Sequence, residues 1–128
     1  MAYKRDIDDI RESPALDVMG LLHRQGVRLS CSDPYVPRLP RNAWPGGYDL
    51  SSVPLDPGLL SSVDCVAILT DHQSLDYASI VTNAPLIVDT RNAIREPHPH
   101  LFRLGAPHPA HAEVWQPVTM DALTDRVA

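Results

Sequence analysis

A chain of 128 residues, 44% of them hydrophobic, carries enough apolar mass for one compact core, so a single domain is the expectation. Its net charge of −5 sets a repulsive mean field toward nucleic acid and anionic lipid, which argues against both as partners and requires any anionic ligand to be held by a local cluster of donors. No run approaches the roughly 20 apolar residues of a membrane span, and the opening Met1-Ala2-Tyr3-Lys4-Arg5-Asp6 lacks the apolar stretch of a signal peptide, so the reading is a soluble, cytoplasmic chain.

Ser13-Pro14 supplies the first helix start, a hydroxyl at the N-cap followed by proline at N1, where its missing N–H costs nothing. Leu16, Met19 and Leu22, with Ala15, Val18 and Leu21 beside them, give an apolar stripe at helical spacing to about Gln25, and Gly26 stops it. Val27, Leu29 and Cys31 then alternate with Arg28 and Ser30 as a strand does. Pro34 to Pro54, with Pro37, Pro40, Pro45, Gly46 and Gly47 inside it, reads as a long surface loop, of a length usually kept for function. Within it Trp44 is either a core edge or a partner contact.

Asp56-Pro57 is a second N-cap and N1 pair and opens a short helix through Leu60. Val63 to Leu69 is an apolar run of the kind buried on both faces of a parallel sheet. Ser74 to Val81 reads as a short helix with Leu75, Tyr77 and Ile80 inward, and Pro85 to Asp89 as a further buried strand. Beyond Arg95 the periodicity vanishes, and Pro97, Pro99, Pro107, Pro109 and Pro117 point to a loosely packed appendage, with Trp115, Val114 and Val118 able to pack back. Cys31 and Cys65 form no C-x-x-C pair and read as small buried hydrophobes. His98, His100, His108 and His111 match no zinc spacing, so no metal is expected.

The order of elements predicts an open, Rossmann-like parallel α/β sheet with flanking helices. Such a unit should begin with a strand that lies centrally in the sheet, so the first strand is expected to be missing here. The expected division is a domain over residues 1–95 and a Pro/His-rich tail over 96–128.

Residues Ala2 to Leu16, reading AYKRDIDDIRESPAL, resemble the opening of the C-terminal domain of the UDP-glucose, GDP-mannose and UDP-N-acetylhexosamine 6-dehydrogenases. Asp33-Pro34-Tyr35-Val36-Pro37, Thr70-Asp71-His72 and Val88-Asp89-Thr90-Arg91-Asn92 are similar to the same family's strand-end motifs, so the likeness runs over about residues 2 to 95. The Ala-Tyr-Lys-Arg opening and the Asp-Thr-Arg-Asn ending look most like the UDP-N-acetylmannosamine and UDP-N-acetylglucosamine members. Ligands of open α/β sheets lie outside the carboxyl ends of the strands, which gathers Lys4, Asp33, Asp71 and Arg91 along one edge. The resemblance implies that Tyr3, Lys4 and Arg91 contact a UDP-sugar.

Arg11 and Asp33 are further candidates for that contact. For Arg11 the alternative is a structural salt bridge beside a helix-capping Ser13, and for Asp33 it is the orientation of a loop. Asp8 and Asp9 read as a solvated turn ahead of a helix.

The resemblance also implies NAD as cofactor of the full-length enzymes, together with a catalytic cysteine upstream. No G-x-G-x-x-G occurs in this chain and neither cysteine matches the family's nucleophile, so no catalytic residue and no bound cofactor is expected. The isolated chain is expected to bind a UDP-sugar without oxidising it, alone or with a separately encoded NAD-binding portion or a second copy of itself. The rival readings are an interaction module that accepts a donated strand, and a non-functional gene fragment that starts inside its domain.

Overall fold

The computed structural model describes residues 1–108. Helix α1 spans Pro14–Arg24, with Pro14 in the first turn and Ala15, Leu16, Met19 and Gly20 buried. Its apolar stripe is narrower than the spacing predicts, because Leu21 is exposed. Ser13 occupies the N-cap position, yet its hydroxyl donates to the Ala2 carbonyl at 3.3 Å and accepts nothing from the helix, which corrects the capping role. Gly26, at φ 81°, takes the left-handed conformation that ends the helix.

The expected strand from Val27 to Cys31 is reduced to a single parallel bridge between Cys31 and Ser52. The neighbouring Pro-rich stretch is more than a surface loop. It holds the antiparallel strands β1 (Arg38–Leu39) and β2 (Leu50–Ser51), and it turns Val36, Leu39 and Trp44 into a core with Met1, Ala2, Leu16 and Met19. Leu39 is fully buried and Trp44 is 5% exposed. Trp44 therefore belongs to the core, and its indole N–H donates to the Tyr48 carbonyl at 2.8 Å.

The Trp44 ring lies against Gly46 so closely that a Cβ added there would come within 2.1 Å of it. We expect Gly46→Ala to destabilise the chain by roughly 1–3 kcal/mol through overpacking, measured as a lowered urea midpoint with an unchanged slope.

The second half of the fold is built on α2 (Pro57–Ser62), β3 (Val66–Ile68), α3 (Tyr77–Asn83), β4 (Ile87–Asp89) and β5 (Leu101–Arg103). Asp56 and Asp76 cap the two helices, accepting from the amides of Leu59 and Ser79. The three strands form one parallel sheet in the order β3-β4-β5. Leu60 and Ile80 from the helices pack with Ile68, Ile87 and Leu101 from the strands. The result is a Rossmann-like α/β arrangement, a parallel sheet flanked by helices.

Three sequence expectations change here. The strands are not buried on both faces: Ala67, Val88 and Phe102 stand side by side in register on the face away from α2 and α3, with Val88 37% and Phe102 41% exposed. Cys65 lies near the same face and is exposed, not a buried hydrophobe. The stretch after Arg95 is not without structure, since Leu101 is buried and carries the third strand. The expectations for His111, Val114, Trp115, Val118 and the prolines at 109 and 117 lie outside the described residues.

The N-terminal segment joins the two cores. The Ala2 carbonyl accepts from the Thr70 hydroxyl at 2.8 Å, while the nitrogens of Met1 and Ala2 both donate to Asp33. No strand precedes α1 among the described residues, and Met1 and Ala2 are buried between the Asp33 loop and the end of β3.

Candidate functional site

The chain leaves β3 into Thr70-Asp71-His72 and β4 into Thr90-Arg91-Asn92, and these two turns face the segment from Tyr3 to Asp6. Asp89, fully buried, fixes the second turn: its carboxylate accepts from the amides of Arg91 and Ile94, each at 2.9 Å. Thr90 donates its hydroxyl to the Ile68 carbonyl, tying that turn to β3. Asn92 completes it at φ 55°, a left-handed position that Asn tolerates.

Asp71 is buried, and two cations share its carboxylate. Arg5 donates through Nε at 2.9 Å and through a short Nη2 contact to Oδ2, and Arg91 donates through Nε to Oδ1 at 3.3 Å. Burial works to raise the Asp71 pKa, but the two guanidiniums outweigh it and the net shift is downward.

Asp33 is the second hub. Its Oδ2 accepts from the Met1 nitrogen at 2.7 Å and the Ala2 amide at 2.9 Å, and its Oδ1 accepts from the amides of Tyr35 and Val36. Burial pushes its pKa up, and the Met1 ammonium with the amides of Ala2 and Tyr35 more than reverses this, holding it at about 2. His72, also buried, links this hub to Asp6. The Asp6 amide donates to Nδ1 at 2.9 Å, which places the imidazole proton on Nε2. That atom sits 3.3 Å from Asp33 Oδ2, too poorly aligned for a good hydrogen bond. Asp6 stands at φ 58°, which turns its amide inward, while its carboxylate accepts from the Gln73 amide.

The residues expected at the site divide by this geometry. Tyr3 and Lys4 are exposed on the segment that faces the two turns, with Lys4 Nζ 5.3 Å from the Tyr3 ring centroid. Arg91 is held through Asp71 to Arg5, the residue next to Lys4. Arg11 stands apart: its guanidinium extends into solvent and pairs with Asp9, whose pKa the contact draws down to about 2. Asp33 spends both oxygens on backbone groups of its own loop and of the N-terminus, the geometry of loop orientation. Arg5, within the Ala2–Leu16 stretch, and His72, within Thr70-Asp71-His72, join the site through contacts that only the fold reveals.

Lys4, Arg5 and Arg91 gather at this edge beside Asp6, Asp71 and Asp89, so cations are concentrated here in a chain whose overall charge is −5. Three described histidines beyond β4 are engaged elsewhere. His100 Nε2 meets the Val81 carbonyl, His108 stacks on Phe102 at 4.1 Å, and the rings of His98 and His100 lie 6.0 Å apart. Among the described residues no group of three or more His, Cys, Asp or Glu is placed to hold a metal ion, and no helix is long and apolar enough to cross a membrane.

The parallel sheet with its helices and its strand-end turns places the chain in the class of Rossmann-like α/β domains. The chain belongs to the UDP-glucose/GDP-mannose dehydrogenase family, and residues 1–96 match that family's UDP binding domain. Over 100 residues it is 31% identical to the UDP-N-acetyl-D-mannosamine dehydrogenase of Methanococcus vannielii, in an alignment that takes in 72% of this chain and 21% of that protein. The chain thus spans about a fifth of the length of the curated relative it matches. No solved structure matches it.

Proposed function

We propose that this domain holds the UDP portion of a UDP-hexose or UDP-N-acetylhexosamine for an NAD-dependent 6-dehydrogenase that carries the sugar to its uronic acid, for use in surface polysaccharide. The observation that carries the reading is the convergence of Arg91 and the Tyr3–Arg5 segment on one edge beyond the strand ends, in a domain of the UDP-binding family. Tyr3 offers an aromatic face to the base, and Lys4 and Arg91 offer charge to the diphosphate.

We assign hydride transfer and thioester chemistry to other parts of the dehydrogenase, acting in the cytoplasm, with NAD as their cofactor. Two features support that division: the chain has no G-x-G-x-x-G, and neither cysteine is tuned as a nucleophile. Burial raises the Cys31 thiol to about 11, and partial desolvation of the more exposed Cys65 raises it as well, so neither is a thiolate at neutral pH.

The test is a thermal melt of the full chain with UDP, with GDP and NAD as comparators. A ligand at a hundredfold excess over its Kd should add about 2.7 kcal/mol of apparent stability. UDP alone should raise the transition, and Arg91→Gln should weaken UDP binding roughly tenfold to hundredfold, the worth of a charge-assisted hydrogen bond. A cooperative transition that ignores UDP would reject the reading.

A second reading, an interaction module, is favoured by the exposed row of Ala67, Val88 and Phe102, since parallel sheets are ordinarily covered on both faces. It requires the purified chain to self-associate, or to capture a co-expressed dehydrogenase portion, in analytical ultracentrifugation.

A further inference from the structure

We propose that Arg5 is a second phosphate-binding cation, forming with Arg91 a two-pronged clamp for a diphosphate across the buried carboxylate of Asp71. The inference rests on the UDP-binding reading and names a residue that reading does not require.

Arg5 and Arg91 come from parts of the chain far apart in sequence, and one carboxylate brings them together, each guanidinium on a different oxygen. The arrangement is asymmetric in exposure. Asp71 is 9% exposed in its side chain, while Arg5 is 52% and Arg91 is 51% exposed, so the two cations face solvent and the anion lies beneath them. A guanidinium has five N–H donors. Arg5 commits Nε and one donor of Nη2 to Asp71, and Arg91 commits only Nε, so most donors of both forks remain for an incoming oxyanion.

Asp71 engages only part of each guanidinium, and Lys4 adds a further cation from the position next to Arg5, while Asp6 and Asp89 spend their carboxylates on backbone amides. A simple structural ion pair would need one arginine. The unspent guanidinium donors, fixed in place and turned outward on two separate forks, suit a group whose oxygens are spread over two phosphorus centres.

The test is calorimetric titration of the full chain and of Arg5→Gln and Arg5→Lys with UDP, UMP and uridine, each protein first shown to melt cooperatively. Arg5 is half exposed and its pairing contributes little to folding, so both variants should fold. Arg5→Gln is expected to weaken UDP roughly tenfold to hundredfold, to weaken UMP less, and to leave uridine unchanged. Arg5→Lys, which keeps the charge without the fork, should fall between wild type and Arg5→Gln.

Wild-type UDP affinity in both variants, or an equal loss for uridine and UDP, would overturn the role of Arg5 while leaving the UDP-binding reading intact. If the wild-type chain melts cooperatively and binds no UDP, the reading itself falls and the clamp falls with it. Should Arg5→Gln fail to melt cooperatively, Arg5→Lys decides, and an unchanged UDP affinity there overturns the proposal.

Discussion

Replacing Asp33 by Asn is expected to cost the chain roughly 3–5 kcal/mol, the range for breaking a buried ion pair from one side. The substitution keeps the size of the side chain and can keep one oxygen for the amides of Tyr35 and Val36. The other position, now an NH₂, would face the Met1 nitrogen, the Ala2 amide and the protonated Nε2 of His72, all donors, in a site with no access to water. A buried cluster of donors without an acceptor costs the desolvation of each.

The same hub sets a pH dependence. Because the folded Asp33 is held at about 2, below its ordinary value of 3.8, its contribution is fully present above the ordinary value and is lost as pH falls toward 2. A shift of that size corresponds to about 2 kcal/mol. Asp71, also lowered, acts with the same sign. Urea unfolding at neutral pH and between pH 4 and 2 should show wild type losing stability over this window and Asp33→Asn losing less. If Asn at 33 costs under about 1 kcal/mol, the joint between the N-terminal segment and the first loop is not where the two cores are held together.

Much of this site was legible because its residues sit at strand ends in a recognisable order. Arg91 follows β4 and Asp71 follows β3, the strand ends where open-sheet topology places a ligand crevice. What spacing could not supply was partnership. Asp33 and Asp71 both follow a hydroxyl residue at the end of an apolar run, yet one turns inward to amides and the other lies under two guanidiniums. Ser13 looked like a helix cap because hydroxyl-proline is a good local signal, but the nearby Ala2 carbonyl competes for the hydroxyl. Arg5 was passed over because its role depends on a carboxylate 66 positions away.

The fold shows the same division. The helices at Pro14, Pro57 and Tyr77 and the strands at Val66 and Ile87 follow from capping residues and apolar runs, which are local signals. Leu101–Arg103 was missed because a stretch between prolines gives no periodicity, and it becomes a strand only because β4 offers it an edge in register. The segment from Val27 to Cys31 shows the reverse failure. Its alternation is that of a strand, but its ladder shrinks to one bridge at Cys31, and Val27 stays exposed.

The Pro-rich stretch is where composition misleads most, and Trp44→Ala tests how far. Proline and glycine between 34 and 54 describe the turns correctly, but they conceal that Val36, Leu39 and Trp44 hold one side of the first core. Trp44 sits edge-on to His23 of α1 and to Tyr48, at 5.7 and 4.9 Å, and it covers Gly46. Truncating it removes the largest side chain of that core and opens a cavity that the short β1–β2 ribbon is too small to close, so the expected loss is roughly 3–5 kcal/mol. Trp44→Phe keeps most of the ring and removes the N–H that donates to the Tyr48 carbonyl, for an expected loss of about 1 kcal/mol plus a smaller packing term. The two variants measured together in urea separate packing from hydrogen bonding. A large effect of Ala with a modest effect of Phe makes the ring a structural plug, and equal, small effects would return residues 34–54 to the status of a surface loop. Because Met1 and Ala2 belong to the same core as Trp44, a plug that fails also loosens the seat of the N-terminal segment that carries Tyr3, Lys4 and Arg5. The Ala variant should therefore lose UDP binding in step with its folded fraction, while the Phe variant keeps it.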